Sequence, residues 1–358
     1  MSRSSTSNSD LARAGGPPRA LLLALVLLGA VELGFRLADP REMIAYELGE
    51  QEYHAVKLWA ERIGSPELAV IGSSRAREAI DAPALAERLG ARLGRRVSVG
   101  NFACAGGTAE ESQAVLDHLL RQPVRPAQVV YGVTLRQLWG QGLEFSRAAI
   151  FWRLADWWRA YDAYVGRVDA SLPTVLRGGL ERISAAFAYR RRVRQVLAEW
   201  LLGLPRRPTP LAGQATEWQQ RVPDLSLLGE RIDDRRVAWY VGRLLRGGRY
   251  PLDPDKVEAL RRTLRAARGG GVELVVVELP LAAILLRHLP AGVVEQAMDQ
   301  IAAVCAQEGV RFVRLTELGQ RFEDADFLDQ SHLNRRGAGR LSMALADRVL
   351  VPRMATSR

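Results

Sequence analysis

Cysteine is nearly absent from these 358 residues; Cys104 and Cys305 are the only two. Two thiols exclude a disulfide framework and a four-thiolate zinc site. A single bridge stays open in an oxidising compartment, and two buried free thiols are the simpler reading. Histidine is almost as scarce: His54, His118, His288 and His332 show no metal-ligand spacing, so neither a protein-built metal centre nor any other cofactor is expected. Lysine occurs only as Lys57 and Lys256, so the net charge of +10 rests on arginine. The arginines are spread along Ala-, Leu- and Gly-rich stretches. No basic tract is interleaved with aromatics, and no finger or recognition-helix pattern is present, so nucleic acid is not expected as a partner. There is no internal repeat.

The chain does contain enough apolar residues, 48% of the total, for one large core or a core with a sizeable insertion. Its start has the composition of a targeting element. Residues 1–18 are rich in Ser, Asn, Gly and Pro and carry Arg3 and Arg13. Arg19 follows, and then an unbroken apolar run from Ala20 to Val31. Glu32 interrupts this run, which resumes as Leu33-Gly34-Phe35. Sixteen helical residues span roughly 24 Å, slightly short of a ~30 Å hydrocarbon core, and Arg19 and Arg36 at the ends can snorkel to make up the difference. A transmembrane signal-anchor over 19–37 is the expectation, with a cleaved signal peptide and a buried helix as alternatives. Leu28-Gly29-Ala30 is a poor cleavage site, because Leu stands where a small residue is favoured. Positive charge ahead of the run predicts a cytoplasmic tail at 1–18 and an extracytoplasmic body, periplasmic or extracellular.

A helical connector over 41–66 leads into alternating strand and helix signals. Apolar strands are expected at 67–71, 97–103 and 128–133, and again at 272–279 and 310–315. Asp81 with Pro83, Thr108, and Asp253 with Pro254 mark helix starts, and Gly90 or Gly94, then Gly269–Gly271, mark stops. Strands this apolar suit a parallel sheet covered on both faces. The expected fold is α/β, a three-layer doubly wound sheet of about five parallel strands. Its first part covers 67–138 and its second 251–352. Between them, residues 139–250 form a helical insertion rich in Trp and Arg. Phe151-Trp152 and Trp157-Trp158 there read as core or interface, with an insertion lying over the active site or near the bilayer as an open alternative, and Pro205, Pro208 and Pro210 mark a loop.

Ligands of such sheets bind beyond the carboxyl ends of the strands, and three blocks fall there. Ile71-Gly72-Ser73-Ser74-Arg75 closes the first strand, where small residues allow a sharp turn that leaves a hydroxyl exposed beside backbone N–H groups. Asn101 to Thr108, including Gly106 and Gly107, follows the second. Glycine there permits close approach of an N–H to an oxyanion. Tyr131-Gly132-Val133-Thr134 ends the third strand and supplies a candidate side-chain donor. A fourth block, Leu328 to Asn334, precedes the last helix. Its Asp329 and His332, three apart, suit a carboxylate that fixes an imidazole tautomer so that the ring can take a proton from a serine. Each block alone also reads as an ordinary turn or cap. Arg75 and Arg136 are candidates for stabilising charge, and an exposed arginine with no catalytic task is the favoured reading of each.

Together these blocks resemble the SGNH (GDSL-type) hydrolase superfamily over 67–134 and 253–349. The resemblance implies Ser74 as nucleophile, His332 as general base and Asp329 as its orienting acid. It implies an oxyanion hole at the Ser74 and Gly106 N–H groups, with Thr134 as the third candidate donor. One departure is clear: where the family has Gly-x-Asn, this chain has Gly132-Val133-Thr134. The anchor followed by a Gly-Ser-Ser-Arg block is similar to the branch that transfers acyl groups on cell-envelope polymers. The implied activity is that of a membrane-anchored extracytoplasmic serine esterase or O-acyltransferase. Its substrate would be an acyl ester, its acceptor water or a carbohydrate, and its candidate partner a membrane acyltransferase. The alternative is a non-catalytic SGNH-like binding or assembly protein of an envelope-modification system.

Overall fold

The computed structural model describes residues 19–37, 66–104, 107–138, 226–228, 232–245 and 253–356, with scattered positions between 180 and 203. The expectations for the 1–18 tail, nearly all of the connector, Gly106, the paired aromatics at 151–158 and the proline loop lie outside the described residues.

Five strands form one sheet: β1 Leu68–Gly72, β2 Val99–Asn101, β3 Gln128–Val133, β4 Glu273–Glu278 and β5 Arg311–Val313. Their order is β2-β1-β3-β4-β5, and every neighbouring pair is parallel. Every residue of β1 and β3 is buried, as is the Leu274–Val277 centre of β4; this is the sequence character that requires cover on both faces. The edge strands β2 and β5 are three residues each, shorter than the apolar runs suggest, because each has a partner on one side only. The chain steps from β1 out to β2, then returns past β1 to β3. That reversal opens a crevice between the carboxyl ends of β1 and β3.

The helices are α1 Arg19–Leu37, α2 Ser74–Ala79, α3 Ala82–Leu93, α4 Ala109–Leu120, α5 Asp234–Leu244, α6 Pro254–Gly269, α7 Ala283–His288, α8 Val293–Gln307, α9 Arg335–Leu345 and, after a wide turn at Ala346–Leu350, α10 Val351–Thr356. Their starts are chemically marked. Asp81 accepts the Ala84 N–H, Thr108 and Glu111 form a capping box, Asp253 accepts the Asp255 N–H with Pro254 next, and Asn334 accepts the Gly337 N–H. Right-handed crossovers put α4, α6 and α8 on one face. After β5 the chain returns to the other face, where α9 packs on α3. A buried carboxylate pins that return: Asp326 is fully buried and accepts from Arg336 (2.9 Å) and Arg340 (2.6 Å).

Among the described residues no helix is long and apolar enough to cross a membrane. In α1 the leucines and valines from Leu21 to Val31 are nevertheless all exposed. Glu32, the acid that breaks the run, has its carboxylate taken up by the Ser184 hydroxyl (2.8 Å) and the Ala186 N–H (3.1 Å).

Candidate active site

At the end of β1, Gly72 has φ +143°, a conformation open to glycine and rarely to other residues. A Cβ there would stand 2.6 Å from the Ala76 Cβ and 2.7 Å from the Gly132 carbonyl oxygen. The missing side chain thus lets the backbone turn directly from β1 into α2 while pressed against β3. Ser74 is the first residue of α2 and is half-buried, so its hydroxyl sits at the rim of the sheet, at a helix start whose N–H groups lack intrahelical acceptors. The second block braces this turn. Cys104 N–H donates to the Gly72 carbonyl (2.9 Å). The Asn101 amide donates to the Arg77 (3.1 Å) and Ile80 (2.9 Å) carbonyls at the far end of α2. Gly107 lies against the turn at Ser73–Ser74: a Cβ on it would meet the Gly72 carbonyl oxygen at 2.9 Å. Its N–H is committed to the Cys104 carbonyl at 3.0 Å. Gly106, the expected oxyanion glycine, lies outside the described residues.

Asp329 and His332 stand on a pinched loop. Phe327 and Leu333 form an antiparallel bridge, and Leu328 N–H donates to the His332 carbonyl at 2.8 Å. This closure turns Asp329 back on its own loop. Its Oδ1 accepts the Ser331 and His332 N–H groups at 2.8 and 2.9 Å. Its carboxylate meets His332 Nδ1 at 2.8 Å through Oδ2 and 3.0 Å through Oδ1. The opposite ring nitrogen, Nε2, lies 2.9 Å from Ser74 Oγ. Burial pushes the Asp329 carboxyl up, but the His332 hydrogen bond and charge, with the two N–H donors, outweigh it and hold the carboxyl below its ordinary value. An ionised Asp329 keeps the proton on Nδ1, which leaves Nε2 as acceptor for the serine proton. The three residues predicted as a triad, 258 positions apart at the extremes, are brought into one hydrogen-bonded chain.

Thr134 lies beyond β3 and is buried; its Oγ1 accepts from Arg75 Nη1 at 2.9 Å. Arg75 is 4% exposed, which corrects the expectation of an exposed side chain: the hydroxyls of Thr134 and Tyr240 satisfy its guanidinium inside the fold. Arg136 is exposed as expected. Burial is the largest influence on Arg75 and lowers its pKa; nearby Tyr240 and Asp329 act in the opposite direction, and Arg136 adds to the lowering. Arg75 Nη2 donates to the hydroxyl of Tyr240, on α5 of the insertion, at 3.1 Å. The insertion reaches the site a second time, where Leu227 N–H donates to the Leu328 carbonyl (2.9 Å) beside the Asp329–His332 loop. An insertion over the site was one of the open expectations, but the residues that make the contacts could not be named, since Tyr240 and Leu227 belong to no motif. Only a long-range view finds them.

Both cysteines are buried and free, so the open choice between a bridge and two thiols is resolved for the thiols. Among the described residues no three metal-binding side chains converge. No protein-family model matches the chain, and no curated protein matches it.

Proposed function

We propose that this chain is a serine esterase or O-acyltransferase of the SGNH (GDSL-type) kind, working through Ser74, His332 and Asp329. The observation that carries the proposal is the unbroken relay from Ser74 Oγ to Nε2 (2.9 Å) and from Nδ1 to the carboxylate (2.8 Å). Such a relay activates a hydroxyl that is a weak nucleophile on its own. Ser74 Oγ attacks the carbonyl of an acyl ester as His332 Nε2 takes its proton, and Asp329 stabilises the imidazolium. The N–H groups of Ser74 and Gly106 and the hydroxyl of Thr134 receive the oxyanion. His332 then returns the proton to the departing alcohol. Water resolves the acyl-enzyme in an esterase, and a sugar hydroxyl, such as that of a cell-envelope polysaccharide, resolves it in a transferase.

Attachment to a membrane through α1, with the body extracytoplasmic, belongs to the same proposal. The exposed leucines and valines favour it, as does a Glu32 carboxylate already satisfied within the chain. A membrane acyltransferase is the partner that would deliver the acyl group. One observation favours the second reading, a non-catalytic binding or assembly protein: the family's third-block Asn is replaced by Thr134, whose hydroxyl carries one donor hydrogen where an amide carries two.

A fluorophosphonate probe separates the two. The full chain in detergent should be labelled covalently and Ser74→Ala should not, with both melting alike. An unlabelled wild type would sink the enzymatic reading.

A further inference from the structure

The Arg75–Thr134 contact contains more information than its distance. A guanidinium has donors and no acceptors. In the 2.9 Å contact the Thr134 oxygen therefore accepts, and in the 3.1 Å contact so does the Tyr240 oxygen. With its oxygen receiving Arg75, Thr134 must direct its own O–H elsewhere. No described group accepts that proton, although the side chain is 2% exposed. Buried donors in folded proteins ordinarily have partners, so this one points to an acceptor that arrives with the reaction.

The register says where. Gly72 pairs with Gly132 across β1 and β3, so Ser74 and Thr134 each follow by two residues a glycine of that pair, at the crevice the strand order opens. Charge gives the second observation. Arg75 is buried with two neutral hydroxyls as its hydrogen-bond partners and forms no ion pair with any described carboxylate. The acid that influences it, Asp329, is engaged by His332 and by two backbone N–H groups. A buried positive charge without a paired anion is costly at rest and becomes favourable when negative charge develops beside it.

We propose that Arg75 is the positioning residue of a second oxyanion arm: it makes the Thr134 hydroxyl an obligate donor toward the tetrahedral oxyanion formed on Ser74, and Tyr240 of the insertion holds it there. The pair takes the place of the missing side-chain amide. This inference rests on the acyl-transfer reading above. It also assigns part of the insertion a place in the chemistry, because α5 supplies the hydroxyl that braces Arg75.

An interaction made in the transition state and absent from the ground state lowers kcat when removed and leaves KM nearly unchanged. Steady-state hydrolysis of p-nitrophenyl acetate by the full chain in detergent provides the test. Thr134→Val keeps the shape and deletes the donor, and kcat should fall by about 10²–10³. Thr134→Ser should recover most of that loss. Arg75→Gln should lower kcat comparably, and Arg75→Gln/Thr134→Val should be no worse than either single change, because one arm cannot be removed twice. Tyr240→Phe, which deletes one hydroxyl, should lower kcat several-fold. A labelled wild type whose Thr134→Val keeps kcat within threefold, or a double variant whose losses multiply, overturns this inference and leaves the enzymatic reading standing. A wild type that neither hydrolyses the ester nor takes the fluorophosphonate overturns both. If Arg75→Gln does not fold, Thr134→Val and Thr134→Ser still decide the donor, and an unchanged kcat in Tyr240→Phe overturns the positioning role of Arg75.

Discussion

Exchanging Asp329 for asparagine alters one atom of the relay and leaves its shape intact. In the native site Oδ1 accepts two backbone N–H groups, from Ser331 at 2.8 Å and His332 at 2.9 Å, while Oδ2 faces His332 Nδ1 at 2.8 Å. Backbone donors on a closed loop cannot turn away, so the single carbonyl oxygen of Asn must occupy the Oδ1 position. The opposite flip would aim an NH2 at both donors and leave them unsatisfied, at about 1–3 kcal/mol each. The amide NH2 is then forced against Nδ1. Two N–H groups cannot point at each other, so the imidazole moves its proton to Nε2. A donor now faces Ser74 Oγ across the same 2.9 Å, and the base is gone with every heavy atom in place. Holding the wrong tautomer costs triad enzymes ~10⁴ in kcat, equivalent to ~5.5 kcal/mol at 1.36 kcal/mol per decade. Steady-state hydrolysis of p-nitrophenyl acetate by Asp329→Asn should show that fall, with KM little changed and a melting temperature within a few degrees of wild type. A folded Asp329→Asn that retains a tenth or more of the native kcat would refute the tautomer argument.

Gly72→Ala should lose about 1–3 kcal/mol or more by urea denaturation, because its Cβ would press on Ala76 and the Gly132 carbonyl at a backbone angle alanine avoids; unchanged stability would contradict the turn geometry. Asp326→Asn should cost about 1–3 kcal/mol at pH 7, since it breaks the pairs with Arg336 and Arg340. Burial raises the Asp326 carboxyl, but the Glu323 N–H and both arginines more than offset it and leave it below its ordinary value. That contribution is therefore complete above the unfolded value of about 3.9 and disappears as pH falls through the lower folded value; a difference from wild type that persisted at pH 2 would argue against it. Cys104 and Cys305 are buried, and burial pushes the Cys305 thiol up to about 12. Neither should react with an aromatic disulfide reagent at pH 8 until guanidinium unfolds the chain, and rapid native labelling would show the packing to be wrong.

The elements legible in the sequence are those whose cause is local. Asp81, Thr108 and Asp253 announce α3, α4 and α6 because a cap needs a side-chain oxygen one residue outside the helix, whatever lies beyond. β1, β3 and β4 are legible because burial on both faces leaves an unbroken apolar run. The lengths of β2 and β5 were not, since a strand is defined by its partner and each edge strand has one. The same division runs through the site. Ser74, Asp329 and His332 each sit in a block whose small or polar residues signal a turn. Arg75 shows the limit: in sequence it is a basic residue next to a serine, and its burial depends on Thr134 and on Tyr240, 165 positions away.

The sequence by itself determined that strands and helices alternate, that a serine turn closes the first strand, and that an Asp and a His stand three apart before the last helix. These follow from periodicity, caps and turn chemistry, all of which act over a few residues. Only the tertiary structure decided that the hydroxyl meets the ring nitrogen at 2.9 Å. It alone decided that Gly107 braces the turn, that Arg75 is buried against Thr134, and that the insertion touches the site at Tyr240 and Leu227. The physical reason is that hydrogen bonds between distant segments depend on strand order and loop closure, and neither leaves a periodic trace in the chain.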